Sequence, residues 1–201
     1  MSEPAAYPEH IGVSTITTRS GEQMRVEAFC DGQPSLMFDE PEGFDIAGDP
    51  ERADLRGRSR GWTPVHAQLA ALAACTSITL AVVARDLGFA HGGLRTALTS
   101  LIDIRGFFFD LHLRPRYEQL SFDLWLATAE PDARIAALAA ETDRRCPQLG
   151  LFDLARIPML VRWWREGEAA PAHVQRHHLP EGPTPEERLR LSPVKPGFTL
   201  L

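Results

Sequence analysis

The chain has 201 residues, is 44% hydrophobic and carries a formal net charge of -6, with a pI near 5.6. That length bounds it to one domain of ordinary size, able to bury a core without disulfides or metals. The acidic balance argues against nucleic acid as a partner, and three scattered cysteines (Cys30, Cys75, Cys146) do not make a secreted disulfide framework.

Met1 to His10 is polar and proline-containing, unlike a secretory leader, so the expectation is a soluble cytoplasmic protein. Alternation over residues 13–18 predicts a first strand, and Ser20-Gly21-Glu22 a turn. Residues 24–30 predict a second strand, Asp31-Gly32 a second turn and residues 35–38 a third strand, giving an antiparallel meander. Residues 40–62 are rich in Gly, Pro, Asp and Arg without periodicity, and read as a long functional loop.

Thr63 then suits an N-cap and Pro64 the first helical position. Apolar residues on nearly every face through Val83 predict a central, mostly buried helix, with Gly88 as its stop. The longest apolar run, residues 69–83, is short for a bilayer span and is broken by Cys75, Thr76, Ser77 and Thr79, so no membrane association is expected.

After Gly92-Gly93, residues 97–109 predict a strand and Arg114-Pro115-Arg116 a turn. Over residues 119–127, Leu120, Phe122, Leu124 and Leu126 alternate with Ser121, Asp123, Trp125 and Ala127, the pattern of a half-buried strand. Residues 131–145 predict a second helix with Ile135, Leu138, Ala139 and Thr142 on one face, and Cys146-Pro147 ends it. Residues 157–164 predict the last strand. Beyond Arg165, recurring prolines predict an extended tail over residues 166–201, with one helical turn at 185–191. The sum is β-β-β-α-β-β-α-β, an α+β domain with two helices against antiparallel sheet.

Chemistry centres on two thiols remote in sequence. Cys75 lies inside the long helix and Cys146 after the second, so if the fold brings them together they can act as nucleophile and resolving partner; both are equally compatible with passive core positions. An attacking Cys75 must be a thiolate. Burial opposes that, and a mid-helix position gains little from its own helix dipole. A cation is therefore needed, and arginine suits. Cys30 reads as structural. His173, His177 and His178, in the tail, read as a surface cluster rather than a metal site, and no metal or cofactor is expected. Trp62, Trp163 and Trp164 read as packing residues. Phe107, Phe108 and Phe109, with Trp125, read as a dimer interface.

The segment Thr63-Pro64 through Leu69-Ala70-Ala71-Leu72-Ala73-Ala74-Cys75-Thr76 resembles the peroxidatic-cysteine helix of the OsmC/Ohr family. Cys146-Pro147 resembles that family's resolving-cysteine segment. Asp39-Glu40-Pro41 and residues 57–63 resemble the loop before its helix, and Phe152-Asp153 through Ile157-Pro158-Met159 the approach to its last strand. The likeness covers roughly residues 11–165, which would make residues 1–165 the domain and 166–201 an appendage.

The resemblance implies an intertwined homodimer and thiol-dependent reduction of organic hydroperoxides. The reductant would be a dithiol or a thioredoxin- or lipoyl-type protein. Cys75 would become a sulfenate, resolved by Cys146 as a disulfide. The resemblance also implies an arginine from the early strands beside the thiolate. Arg25 is the first choice, Arg19 the second, and Arg58 and Arg60 alternatives. Where the family's best-characterised members carry a glutamate that holds this arginine, this chain has Val65, with His66 and Gln68 the nearby polar residues. Two other readings stay open: a fold retained as a non-catalytic ligand-binding or scaffold protein, and a Cys75 nucleophile acting on an acyl-type substrate with His66 as base.

Overall fold

The computed structural model describes residues 14–42, 57–103, 106 and 112–190. It divides into two compact units, Met1–Ala67 and Gln68–Leu201.

In the N-terminal unit, β1 (Ile16–Ser20), β2 (Val26–Cys30) and β3 (Leu36–Phe38) form the predicted antiparallel meander. The first strand begins later than alternation suggested; Val13, and residues 43–56 of the loop, lie outside the described residues. The part of the loop nearest the cysteine helix is fixed by main-chain pairing. Trp62 N–H donates to Met37 O at 3.0 Å, and Asp39 N–H to Trp62 O at 3.1 Å. A Cβ on Gly61 would lie 2.3 Å from Met37 O, so only glycine allows this approach.

Asp39 fastens the same segment from within. Its side chain is fully buried, and Oδ2 accepts from Arg60 Nε at 2.9 Å. Burial pushes the Asp39 carboxyl up, but the Arg60 guanidinium and the backbone N–H groups of Arg60, Glu40 and Arg58 outweigh it, so the net direction is down. A depressed folded-state pKa gives stability that is present above the unfolded value, near 4, and is lost as pH falls through the lower folded value. Asp39→Asn is expected to cost the unit about 2 kcal/mol at neutral pH and to remove that acid-side loss. Urea unfolding at neutral and acid pH measures both, and a variant curve parallel to wild type would refute it.

Helix α1 (Pro64–Leu87) starts and stops where predicted. Thr63 Oγ1 accepts from His66 N–H at 3.1 Å. At the other end Gly88 adopts φ +56°, with Phe89 N–H bonded to Ala84 O at 2.8 Å and Gly88 N–H to Arg85 O at 3.2 Å, a Schellman closure. The prediction of a mostly buried helix fails, because the described residues cover only one face. Leu69, Leu72, Thr76, Leu80, Val83 and Ala84 are buried, while Ala70, Ala71, Ala74, Ile78, Ala81 and Val82 are exposed.

The rest of the C-terminal unit is a four-stranded sheet in the order β4 (Leu94–Asp103), β5 (Arg116–Leu126), β6 (Met159–Arg165), β7 (His173–His177). It is not wholly antiparallel: β5 and β6 run parallel. Parallel neighbours need a long crossover, supplied by α2 (Asp132–Arg145) and α3 (Pro147–Leu154). Leu120, Leu124 and Leu126 of β5 are wholly buried, with Ile135 and Leu138 of α2 and Trp163 of β6. A register shift between β4 and β5 leaves Glu118 without an opposite residue, the signature of a bulge. Tyr117, just before it, sets its ring against Phe152 of α3.

The segment after Arg165 differs from the predicted extended tail in contributing β7, whereas the expected helical turn at 185–191 is present as α4 (Pro185–Arg190), its start held by a reciprocal Thr184–Glu187 capping box. Glu186 reaches back to Ser121 Oγ and Gln119 on β5. Phe107, Phe108 and Phe109 lie outside the described residues.

Candidate active site

Pro147 disfavours helical geometry in the residue before it, so α2 cannot run through Cys146. Cys146 is extended (φ -77°, ψ 112°) and serves both as C-cap of α2 and N-cap of α3. Its N–H donates to Thr142 O at 2.9 Å and its carbonyl accepts from Gly150 N–H at 3.0 Å. This elbow presses the Cys146 side chain, 2% exposed, against α1. Cys146 Sγ lies 3.7 Å from Cys75 Sγ and 3.6 Å from Thr76 Oγ1. Both cysteines are free thiols, and a disulfide requires the sulfurs to close to about 2.05 Å.

Helix α3 was not predicted, because its eight residues are too few to show a helical period. It changes the electrostatics. The Gln148 backbone N–H, at the unsatisfied start of α3, and the Thr79 side chain both draw the Cys75 thiol down. Cys75 thus meets the positive end of a second helix. This is not enough to ionise it: burial first, then the neighbouring Cys146 thiol, push the Cys75 thiol above its ordinary value. Arg144 and Arg145, adjacent to Cys146 in sequence, do not help, since Arg144 pairs with Glu141 and Arg145 with Glu141 and Asp86.

Thr76 is the functional neighbour that sequence reasoning passed over. Wholly buried, it donates to Leu72 O at 2.9 Å, leaving its lone pairs toward Cys146. Thr76→Val removes one of the two partners of the Cys146 thiol. Because the reduced form loses the contact, the dithiol–disulfide equilibrium against glutathione should move toward the disulfide by roughly twofold to fivefold. An unchanged equilibrium would show that the contact carries no energy.

Gln68, two helical turns before Cys75, accepts from Tyr117 Oη at 2.8 Å. The remaining predicted residues belong to the N-terminal unit. Arg19 pairs with Glu27 at 2.8 Å, and Arg60 is held by Asp39. Arg25 lays its guanidinium over the Gly21 turn, and its charge helps hold the Glu27 carboxyl down. Arg60, Trp62 and His66 line a cleft of about 670 Å³ with Leu36, Met37 and Pro41. Cys30 ends β2 opposite Ile16.

Two thiols held in contact by a cysteine helix and a Cys-Pro elbow, on an α+β frame of two sheets, coincide with a sequence match. The OsmC-like protein family matches residues 57–158, which include both cysteines. The chain belongs to the OsmC-like protein family. Its fold is similar to that of an OsmC-like protein from Mycoplasma pneumoniae at 17% identity and TM-score 0.58, covering 77% of this chain and 97% of that one. It is similar as well to an organic hydroperoxide resistance protein from Elizabethkingia anophelis, at 13% identity and TM-score 0.57, covering 80% and 100%. A third, from Legionella pneumophila, is an organic hydroperoxide resistance protein OsmC at 15% identity and TM-score 0.52, covering 72% and 91%. No curated protein matches. At such identities the likeness carries the fold and no more. β7 and α4 lie beyond the residues that the family matches.

Proposed function

We propose that the protein is a thiol-dependent hydroperoxide reductase acting on organic hydroperoxides. The observation that carries this reading is the 3.7 Å separation of the Cys75 and Cys146 sulfurs. In the cycle, Cys75 thiolate attacks the distal peroxide oxygen, the O–O bond breaks and the alkoxide leaves as alcohol after taking a proton. Cys146 thiolate attacks the resulting sulfenic sulfur and expels hydroxide as water, closing the disulfide. Two thiols of an external dithiol, or of a thioredoxin- or lipoyl-type protein, then reduce it. Because burial holds the Cys75 thiol up, a cation must reach it, and Arg25 is the proposed one, stabilising both the thiolate and the developing negative oxygen.

The proposed working form is a cytoplasmic homodimer. The exposed face of α1, Ala70, Ala71, Ala74, Ile78, Ala81 and Val82, supports a second copy as its cover. Among the described residues α1 alone is long and apolar enough to cross a membrane. We take it as an interface helix instead, since its other face holds Cys75 against Cys146 of the same unit, whose four-stranded sheet has open edges that lipid does not tolerate.

The test is intact mass and free-thiol count after one equivalent of cumene hydroperoxide, set against hydrogen peroxide. A Cys75–Cys146 disulfide that forms faster with the organic peroxide supports the reading. Thiols that stay reduced in folded protein overturn it and favour a non-catalytic OsmC-like protein, the reading that the raised Cys75 thiol and Val65 would then explain.

A further inference from the structure

The joint that presents Cys146 is tied on both arms to one histidine. Asp143 lies in the last turn of α2, before the joint, and Asp153 in the last turn of α3, after it. Strand β7, from the segment beyond the family-matched residues, packs against α2 and brings His177 between them. His177 Nδ1 lies 3.3 Å from Asp153 Oδ1, and His177 Nε2 lies 3.9 Å from Asp143 Oδ1. The next residue strengthens the tie. His178 adopts φ +49°, in the left-handed region that non-glycine residues rarely enter. Its Nε2 is 2.9 Å from Asp153 O and 3.0 Å from Asp153 Oδ1. A carbonyl only accepts, so His178 Nε2 carries its hydrogen.

Hydrogen placement on His177 follows by the same reasoning. Asp153 Oδ1 is an acceptor, so Nδ1 of His177 donates to it. Nε2 is then a bare lone pair unless the ring is protonated, and it is buried without a hydrogen-bond partner. That lone pair faces a carboxylate. The pair is relieved only when a proton sits on one of the two groups, on Nε2 or on Asp143. The Asp143 carboxyl is pushed up by burial, drawn down by His177 and pushed up again by the charge of Asp153, with a net upward direction.

We propose that His177 is a positioning residue for Cys146: a clip that, when charged, holds both arms of the elbow against β7 in the dithiol geometry and releases them as it loses its proton. The proposal rests on the reading of Cys146 as the resolving thiol. The sulfurs must approach by about 1.7 Å to bond, and motion of the elbow carries the Cys146 sulfur with it. An imidazolium bonded to Asp153 and paired in charge with Asp143 resists that motion; a neutral ring bonded to Asp153 alone resists it less. The groups facing His177 are Asp143 from α2, Asp153 from α3 and His178 beside it. From β6 the opposite residue is the uncharged Met159, and on its own strand His173 and Gln175 share its face. Histidine is the side chain that ordinarily changes charge between about pH 5 and 8, and the test spans that range.

The test is the equilibrium of the protein with glutathione disulfide, in which two protein thiols become one disulfide and two glutathione molecules are released. Wild type is compared with His177→Asn, which keeps a donor for Asp153 but cannot be charged, and with Asp143→Asn, which removes the opposing carboxylate. Both variants are expected to favour the disulfide over wild type by about fivefold near pH 6 and to converge with it near pH 8.5. A thermal midpoint for each variant at both pH values separates a general loosening of the fold, which would not converge with pH, from release of the elbow. A variant-to-wild-type ratio that is constant across this range overturns the clip while leaving the peroxidase reading intact. A pH-dependent ratio in protein that makes no disulfide with hydroperoxide upholds the clip and overturns the peroxidase reading. Failure to form the disulfide with glutathione at any pH overturns both.

Discussion

Cys75→Ser is expected to reduce cumene hydroperoxide turnover to the rate of the reductant alone, a loss of at least about a thousandfold, or ~4 kcal/mol. A serine hydroxyl is un-ionised at neutral pH and cannot accept an oxygen atom. Cys146→Ser should behave differently. It consumes one equivalent of peroxide, stops with one added oxygen on Cys75, and turns over again only as fast as an external thiol attacks that sulfenic acid directly. Steady-state turnover with a dithiol, together with intact mass after one equivalent, separates the two. Equal losses in both variants, without an oxygen adduct in Cys146→Ser, would overturn the assignment of nucleophile and resolver. The burial-raised Cys75 thiol adds a pH signature. If Arg25 supplies the missing charge, wild-type single-turnover rates are flat through neutrality. Arg25→Gln is then expected to rise steeply with pH, because only the thiolate reacts and a raised pKa leaves little of it at neutral pH. A wild-type profile that already rises in that way, unchanged in Arg25→Gln, would remove Arg25 from the site.

The Gln148 N–H that draws on Cys75 shows how far the sequence could be read. Thr63-Pro64 and Gly88 marked both ends of α1 because capping is local chemistry, visible within a few residues. The alternation of Leu120 through Leu126 marked β5 for the same reason. Cys146-Pro147 marked a helix end, but the proline that ends α2 is also the first residue of α3, and eight residues carry no readable period. The N–H that meets Cys75 was therefore invisible, although the cysteine pair was not. Strand β7 was missed because prolines on either side gave His173 to His177 the look of tail, and five residues form a strand only because β6 offers an edge. The exposed half of α1 is the instructive failure. An all-round apolar helix reads as buried, which is right as hydrophobic chemistry, yet among the described residues nothing covers one side of it.

That surface supports the second large effect. Ala70, Ala71, Ala74, Ile78, Ala81 and Val82 recur at three- and four-residue spacing, so they line one side of α1. Four of the six are alanines, which let a facing helix approach closely, and Ile78, 68% exposed, is the large side chain at the centre. Ile78→Glu is expected to convert the proposed dimer to monomer at micromolar concentration, because an unpaired carboxylate buried in an apolar seam costs several kcal/mol. In the isolated chain the same substitution replaces an exposed apolar residue on a helix, a change usually within about 0.5 kcal/mol. Sedimentation velocity reads the first effect and thermal unfolding of the monomer the second. Wild type that sediments as a monomer, or a variant that remains dimeric, would show that α1 is not the seam. A monomeric, folded variant that keeps the Cys75–Cys146 disulfide but loses peroxide turnover would locate the missing charge across the interface, since everything the thiol pair needs except a cation lies within one C-terminal unit.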